Sequence, residues 1–158
     1  MAFEANVLCP VNMPHGAVAA FFSYNLRSQN PFKHDEIDFE FASRHWSGSN
    51  EQINTNVYVD DDDGTALDEV VATSVDFSQP ITFRIEWLRH GTGIRWFINK
   101  QPIRSEVKVP QSPMSIVLNF WVPDQTWPWA YSDAIQPTGS AGALYWTYQV
   151  NWAKVYTA

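Results

Sequence analysis

The chain has 158 residues, the size of one domain with enough length to bury a core, so two independent domains are not expected. Its 10 Lys+Arg against 17 Asp+Glu give a net charge of -7, the wrong sign for neutralising nucleic-acid phosphates or docking on an anionic membrane, which excludes both as expected partners and favours a neutral or cationic one. The 8 Trp, 6 Tyr and 10 Phe make up 15% of the chain, more than an interior of this size needs, and the single Cys9 can build neither an internal disulfide nor a Cys-rich zinc site.

In chain order, the opening MAFEANVLCP carries Glu4 and Asn6, lacks a basic start and breaks at Pro10, so it does not read as a signal peptide. No stretch approaches the roughly 18 apolar residues that span a bilayer, and no Asn-x-Ser/Thr sequon occurs. Apolar residues then alternate with period two between Gly, Pro, Asn, Asp and Ser. This predicts strands over Phe3–Leu8, Ala17–Tyr24, Glu36–Phe41, Ile53–Val59, Glu69–Val75, Ile81–Trp87, Ile94–Ile98, Ile103–Val109, Ser115–Trp121 and Tyr145–Tyr156. Helical periodicity is nearly absent. The pattern predicts an all-β fold, a sandwich of two antiparallel sheets in a single domain over residues 1–158. The acidic run Asp60–Asp63 before Gly64 reads as a solvated hairpin tip, because a calcium loop would need acids where Val59 and Val70 stand. The longest loop, Val122–Gly142, is rich in Pro, Asp, Trp and Gly, and loops of that length are often functional.

The segment His34-Asp35-Glu36-Ile37-Asp38-Phe39-Glu40-Phe41 carries the most chemistry. On a strand, Ile37, Phe39 and Phe41 share one face while Glu36, Asp38 and Glu40 share the other. Three carboxylates on one face repel one another, so at least one pKa should rise. Glu36 and Glu40 have Cα atoms about 13 Å apart at about 3.3 Å per residue, and two side chains of about 4 Å each leave a gap of about 5 Å. That is the separation used by retaining glycosidases, in which one carboxylate attacks the anomeric carbon and the other acts as acid and then base. Asp38, between them, is placed to hydrogen-bond one Glu and adjust its charge. The alternative is an acidic, solvated strand face with no chemistry.

HDEIDFEF resembles the signature of glycoside hydrolase family 16, the group of concanavalin A-like jelly-roll enzymes that includes lichenases (endo-β-1,3-1,4-glucanases) and xyloglucan endotransglycosylases. Ala20-Phe21-Phe22-Ser23-Tyr24 resembles the strand before that signature and Asn54-Thr55-Asn56-Val57-Tyr58 the strand after it. Phe83-Arg84-Ile85-Glu86-Trp87 with Ile94-Arg95-Trp96-Phe97-Ile98-Asn99 is similar to a later hairpin, Met114–Trp121 to the strand ending N-x-W, and Val150–Tyr156 to the closing strand. The resemblance implies Glu36 as nucleophile, Asp38 as assisting carboxylate and Glu40 as general acid/base, and Phe22 and Tyr24 match positions that line the cleft in relatives, though Phe22 fits the core equally well.

Alternation also places Asn56 and Tyr58, and Asn119 and Trp121, on the face of the acids, while Ile53, Thr55, Val57, Val59, Met114, Ile116, Leu118 and Phe120 face inward. Sugars stack their C–H faces on aromatic rings and hydrogen-bond their hydroxyls, so amides and rings beside the acids suit them. Trp127 and Trp129 are candidate platforms at the cleft rim, with loop anchoring as the competing reading. Trp87, Trp96 and Trp152 are expected in the core. His34 shares the acids' parity and either borders the cleft or makes a turn-end hydrogen bond. Cys9 reads as a buried, inert thiol.

The expected activity is retaining, endo-acting hydrolysis of a β-glucan-type polysaccharide, with a non-catalytic carbohydrate-binding domain or a transglycosylase as alternatives. Only 35 residues precede Glu36, and relatives carry further strands there, so the expectation is a sandwich lacking its N-terminal strands: a partial chain, one that tolerates the missing edge, or one whose edge another chain fills by self-association. The Cys-stabilised C-terminal extension of the plant transferases is absent and no sequon follows in Ala42-Ser43-Arg44-His45, which favours a microbial glucanase-like enzyme. No cofactor or metal site is expected. The resemblance leaves a structural calcium open, with Asp124 and Asp133 reading only as loop acids, and it implies a secreted or extracellular setting although no signal peptide is present.

Overall fold

The computed structural model describes residues 1–11, 14–29, 32–45, 51–61, 68–88, 93–135 and 146–157. Ten strands follow one another: β1 (Ala2–Leu8), β2 (Val18–Gln29), β3 (Phe32–Ala42), β4 (Glu51–Asp61), β5 (Glu69–Thr73), β6 (Ile81–Leu88), β7 (Gly93–Ile98), β8 (Gln101–Glu106), β9 (Ser115–Trp121) and β10 (Gln149–Tyr156), with one 3-10 turn at Ser43–His45. β2 and β3 run longer than their sequence patterns suggest, because pairing between two long neighbours continues past the last apolar residue. Residues 62–64 of the acidic tip, residues 136–142 of the long loop and Tyr145 lie outside the described residues.

The strands form two antiparallel five-stranded sheets among the described residues, ordered β10-β1-β6-β7-β8 and β5-β4-β3-β2-β9. Between them lies the core that the period-two pattern demands. Phe3, Ala5 and Val7 of β1 and Ile81, Phe83, Ile85 and Trp87 of β6 are buried from one sheet, and Phe21, Ile37, Phe39, Phe41, Ile53 and Val57 from the other. Phe83 is the keystone of this packing, its ring 4.9 Å from Phe39 and 4.8 Å from Phe41. Met114, just before β9, and Ile116, Leu118 and Phe120 of β9 pack against the same core while staying half-buried. Cys9 is buried within it, and the apolar surroundings push its thiol pKa far up, as an inert thiol requires.

Polar contacts from Trp96 and Arg104 cross the sandwich. The Trp96 indole N–H donates to the backbone carbonyl of Asp38 at 2.8 Å, so a core residue of one sheet holds the backbone of the acid strand in the other. At the β8 flank, Arg104 donates to the Thr55 hydroxyl at 2.9 Å, with its guanidinium 4.8 Å from the centroid of the Trp96 ring.

Trp152 departs from expectation. A register shift in β1–β10 after Asn6 pairs Trp152 with Asn6 and Val150 with Val7. Trp152 therefore stands on the outer face with Asn6, while Ala153 and Val155 lie opposite Ala5 and Phe3 on the other face, where both remain exposed. A bulge breaks the two-residue parity on which the core assignment rested. The ring is half-exposed and Lys154 covers it, its Nζ 4.4 Å from the ring centroid.

Replacing Trp96 with Phe keeps most of the ring but strips the Asp38 carbonyl of a buried donor. The expected loss is about 1–3 kcal/mol in urea unfolding; an unchanged unfolding midpoint would remove this bond from the account of how β3 is held.

Candidate active site

β3 runs through the middle of its sheet, so each acid has a neighbour on both sides. Tyr58 of β4 and Tyr24 of β2 flank Glu36, Asn56 and Phe22 flank Asp38, and Asn54 and Ala20 flank Glu40. Beyond β2, Asn119 lies opposite Ala20 and Trp121 opposite Val18. The expected set of Glu36, Asp38, Glu40, Phe22, Tyr24, Asn56, Tyr58, Asn119 and Trp121 thus occupies one face of one sheet.

A cavity of about 300 Å³ opens on this face, lined by Glu40, Asn54, Asn56, Tyr58, Asp68, Trp121 and Trp127. Trp127 reaches it from the long loop by stacking on Trp121, centroids 5.8 Å apart and planes 9° from parallel. Trp129 takes a different place: its ring stacks on His45 at 4.7 Å, its carbonyl lies 3.1 Å from His45 Nε2, and it does not border the cavity. Phe22, Tyr24 and Asn119 share the face without bordering that cavity, and Asn119 Oδ1 is buried with no partner among the described residues.

Two residues beyond the expected set enter the site. Asn54 donates its amide to Glu40 Oε2 at 3.1 Å; the alternation that placed Asn56 and Tyr58 on this face includes it. Asp68, just before β5, borders the cavity from outside any strand, where no periodic signal could reveal it. His34 also proves to border the acids, its Nε2 3.3 Å from Glu36 Oε2.

The start of β3 is fixed by a buried knot. Asp35 is fully buried, accepts the Asp60 N–H at 2.7 Å and the Ser112 hydroxyl, and pairs with Arg27 at 3.4 Å. Asp60 adopts φ of 51° where the β3–β4 register shifts between His34 and Glu36. The carboxylate of Asp35 thereby satisfies a backbone donor that the irregularity takes out of the ladder.

Burial governs the acids' protonation. Glu36 is pushed up to about 7 by desolvation, offset by a hydrogen bond from Asp38. Glu40 is also pushed up to about 7, by desolvation and the Glu36 charge against the Asn54 hydrogen bond. Asp38 is held well above the ordinary carboxylate range by burial, by both neighbouring charges and by its hydrogen bond to Glu36, so it is the member that keeps its proton. Burial and the three acids also raise Tyr58, which stays a neutral phenol.

The family described as glycosyl hydrolases family 16 has a sequence profile that matches residues 3–154. The chain belongs to glycosyl hydrolases family 16. No curated protein matches this family 16 chain significantly by sequence. Among solved structures, the Bacillus licheniformis beta-glucanase is 23% identical with TM-score 0.72, the match covering 96% of this chain and 64% of that one. A prokaryotic beta-1,3-1,4-glucanase (lichenase) derived from a mouse hindgut metagenome is 20% identical with TM-score 0.68, covering 85% and 59%. A Crh5 transglycosylase in complex with NAG is 21% identical with TM-score 0.61, covering 84% and 56%. The chain therefore spans less than two thirds of each of these proteins, and its two sheets follow the family's jelly-roll sandwich.

The raised carboxylates make stability depend on pH. Glu36 and Glu40 fold with pKa values near 7 against an ordinary 4.5, so the folded state holds protons that the unfolded chain releases. Their contribution is complete below the ordinary value and is lost as pH rises through about 7. Unfolding free energy should be higher at about pH 5.5 than at about pH 8, and Glu40→Gln should narrow the difference. Denaturant titrations at the two pH values check this, and equal stability in the unaltered protein would contradict it.

Proposed function

We propose that the chain is a retaining, endo-acting glycoside hydrolase of β-glucan-type polysaccharide that works by double displacement. The observation that carries the proposal is the unequal company of two equally perturbed carboxylates. Glu36 receives a hydrogen bond from Asp38 and lies beside His34 Nε2, whereas Glu40 has the Asn54 amide and borders the cavity. In a coupled pair the charge settles beside the stronger donor, and the carboxyl proton of Asp38 is a stronger donor than the Asn54 amide. Glu36 is then the ionised partner and Glu40 the protonated one, the division a nucleophile and a general acid need.

In this reading Glu40 gives its proton to the glycosidic oxygen as a Glu36 oxygen bonds to the anomeric carbon and the leaving sugar departs. Water, losing a proton to Glu40, then displaces Glu36 and restores both groups. Asp38 keeps its proton and stabilises the Glu36 carboxylate through their hydrogen bond. Trp121 and Trp127 present ring faces to the sugar, while Asn54, Asn56 and Tyr58 offer partners to its hydroxyls. The fold it shares with a beta-glucanase and a lichenase supports the glucan assignment. A transglycosylase shares the fold as well, and transfer differs only in that a sugar hydroxyl takes the place of water. A purely binding domain is disfavoured, because buried like charges are costly to keep where no reaction uses them. A polysaccharide substrate goes with an extracellular setting.

Either Glu36→Gln or Glu40→Gln should lower kcat on mixed-linkage glucan by at least about 100-fold. With an activated leaving group and azide, Glu36→Ala should yield a glycosyl azide of inverted configuration and Glu40→Ala one of retained configuration. Full turnover by both Gln variants would defeat the assignment, and the chain lengths of the products separate hydrolysis from transfer.

A further inference from the structure

Among the described residues His34 is the one imidazole beside the acids, and three features define its setting. Its side chain is 11% exposed, its Nε2 lies 3.3 Å from Glu36 Oε2, and its ring is packed among Tyr24, Phe32 and Tyr58 with centroids 5.7, 5.2 and 4.6 Å away. The opposite nitrogen, Nδ1, is buried without a hydrogen-bond partner among the described residues.

These contacts constrain the proton. A neutral imidazole carries one N–H and one lone pair. A proton on Nδ1 would bury an unpaired donor and turn a lone pair toward the carboxylate. A proton on Nε2 points the N–H at Glu36 Oε2 and leaves the lone pair among the rings. We propose that His34 is a positioning residue for the Glu36 carboxylate, held by its aromatic cage as the Nε2–H tautomer and donating to Glu36 Oε2. This rests on the reading of Glu36 as the nucleophile. With Asp38 donating as well, Glu36 is gripped by two donors and its orientation is set before substrate arrives. The other titratable groups facing Glu36 are Asp38 and Glu40 on β3, Tyr24 on β2 and Tyr58 on β4.

Two variants separate the hydrogen bond from the packing. His34→Phe keeps a ring in the cage and removes the donor; His34→Gln restores an N–H at about the reach of Nε2. In the intact protein, nitrogen-15 spectra should show the neutral His34 ring protonated on Nε2 and bare on Nδ1, and carbon-13 titration should follow Glu36 directly. The Glu36 midpoint should rise by about one pH unit in His34→Phe and return most of the way in His34→Gln. The acid limb of the kcat/KM profile should follow it, with the basic limb unmoved. An Nδ1–H tautomer, an unmoved midpoint in His34→Phe, or equal shifts in both variants would overturn the proposal. The nitrogen and carbon spectra need no turnover, so failure of the hydrolase reading, seen as undiminished activity in Glu36→Gln, is distinct from failure here.

Discussion

On β3, Ile37, Phe39 and Phe41 are each fully buried, and this anchoring is what lets Glu36, Asp38 and Glu40 stand together on the opposite face. Like charges spaced along a strand would relax by twisting or slipping register if the strand were free. A slip of one residue would send the three acids into the core and the three apolar residues into the cleft. The transfer cost of that exchange exceeds the repulsion it would relieve, since unpaired carboxylates in an apolar core are far more costly than carboxylates crowded at a half-open face. The Trp96 bond to the Asp38 carbonyl fixes the same strand at its midpoint.

The crowding is relieved by protons more than by cations. Among the described residues, Arg27, Lys33 and Arg104 find partners in Asp35, Asp60, Glu69 and Glu106, away from the cavity lining. The acids instead meet amides, phenols, an imidazole and one another. A neutralising Arg would hold them ionised and low, whereas burial leaves two of them near neutrality, where a proton is easily held or released. Three carboxylates on the cleft face of a chain with net charge -7 offer nothing to attract an anionic polymer.

What was legible in the sequence is what a period of two encodes. β3 and its neighbours place the acids, Asn56, Tyr58, Asn119 and Trp121 on one face because each sits in an unbroken alternation. Asn54 was equally available from that rule. Parity fails wherever an extra residue enters a strand: the shift in β10 carried Trp152 outward, and the shift beside Asp35 depends on a left-handed Asp60 that no pattern announces. Loop residues have no period at all. Trp127 and Trp129 are two positions apart in one loop, yet one meets the cavity and the other a histidine, a choice made by tertiary contacts.

That loop shows how the wall of the cavity is tied to the strand it covers. Past Glu40, the next row of the sheet carries Ala42 opposite Val18 and Val18 opposite Trp121, two small residues that leave room above them. Ala130 packs into that room, with Trp127 and Trp129 against the same cluster. The turn directly after β3 holds the loop down, through Arg44 donating to the Pro128 carbonyl at 2.9 Å and His45 meeting Trp129 through ring and carbonyl. A bulkier residue at position 18 or 42 would lift the loop, and with it the stacked Trp127, away from Glu40. Small side chains at the end of the acid strand therefore bear on the aromatic wall as directly as the tryptophans themselves, because the ring can face the acid only while the loop beneath it can close.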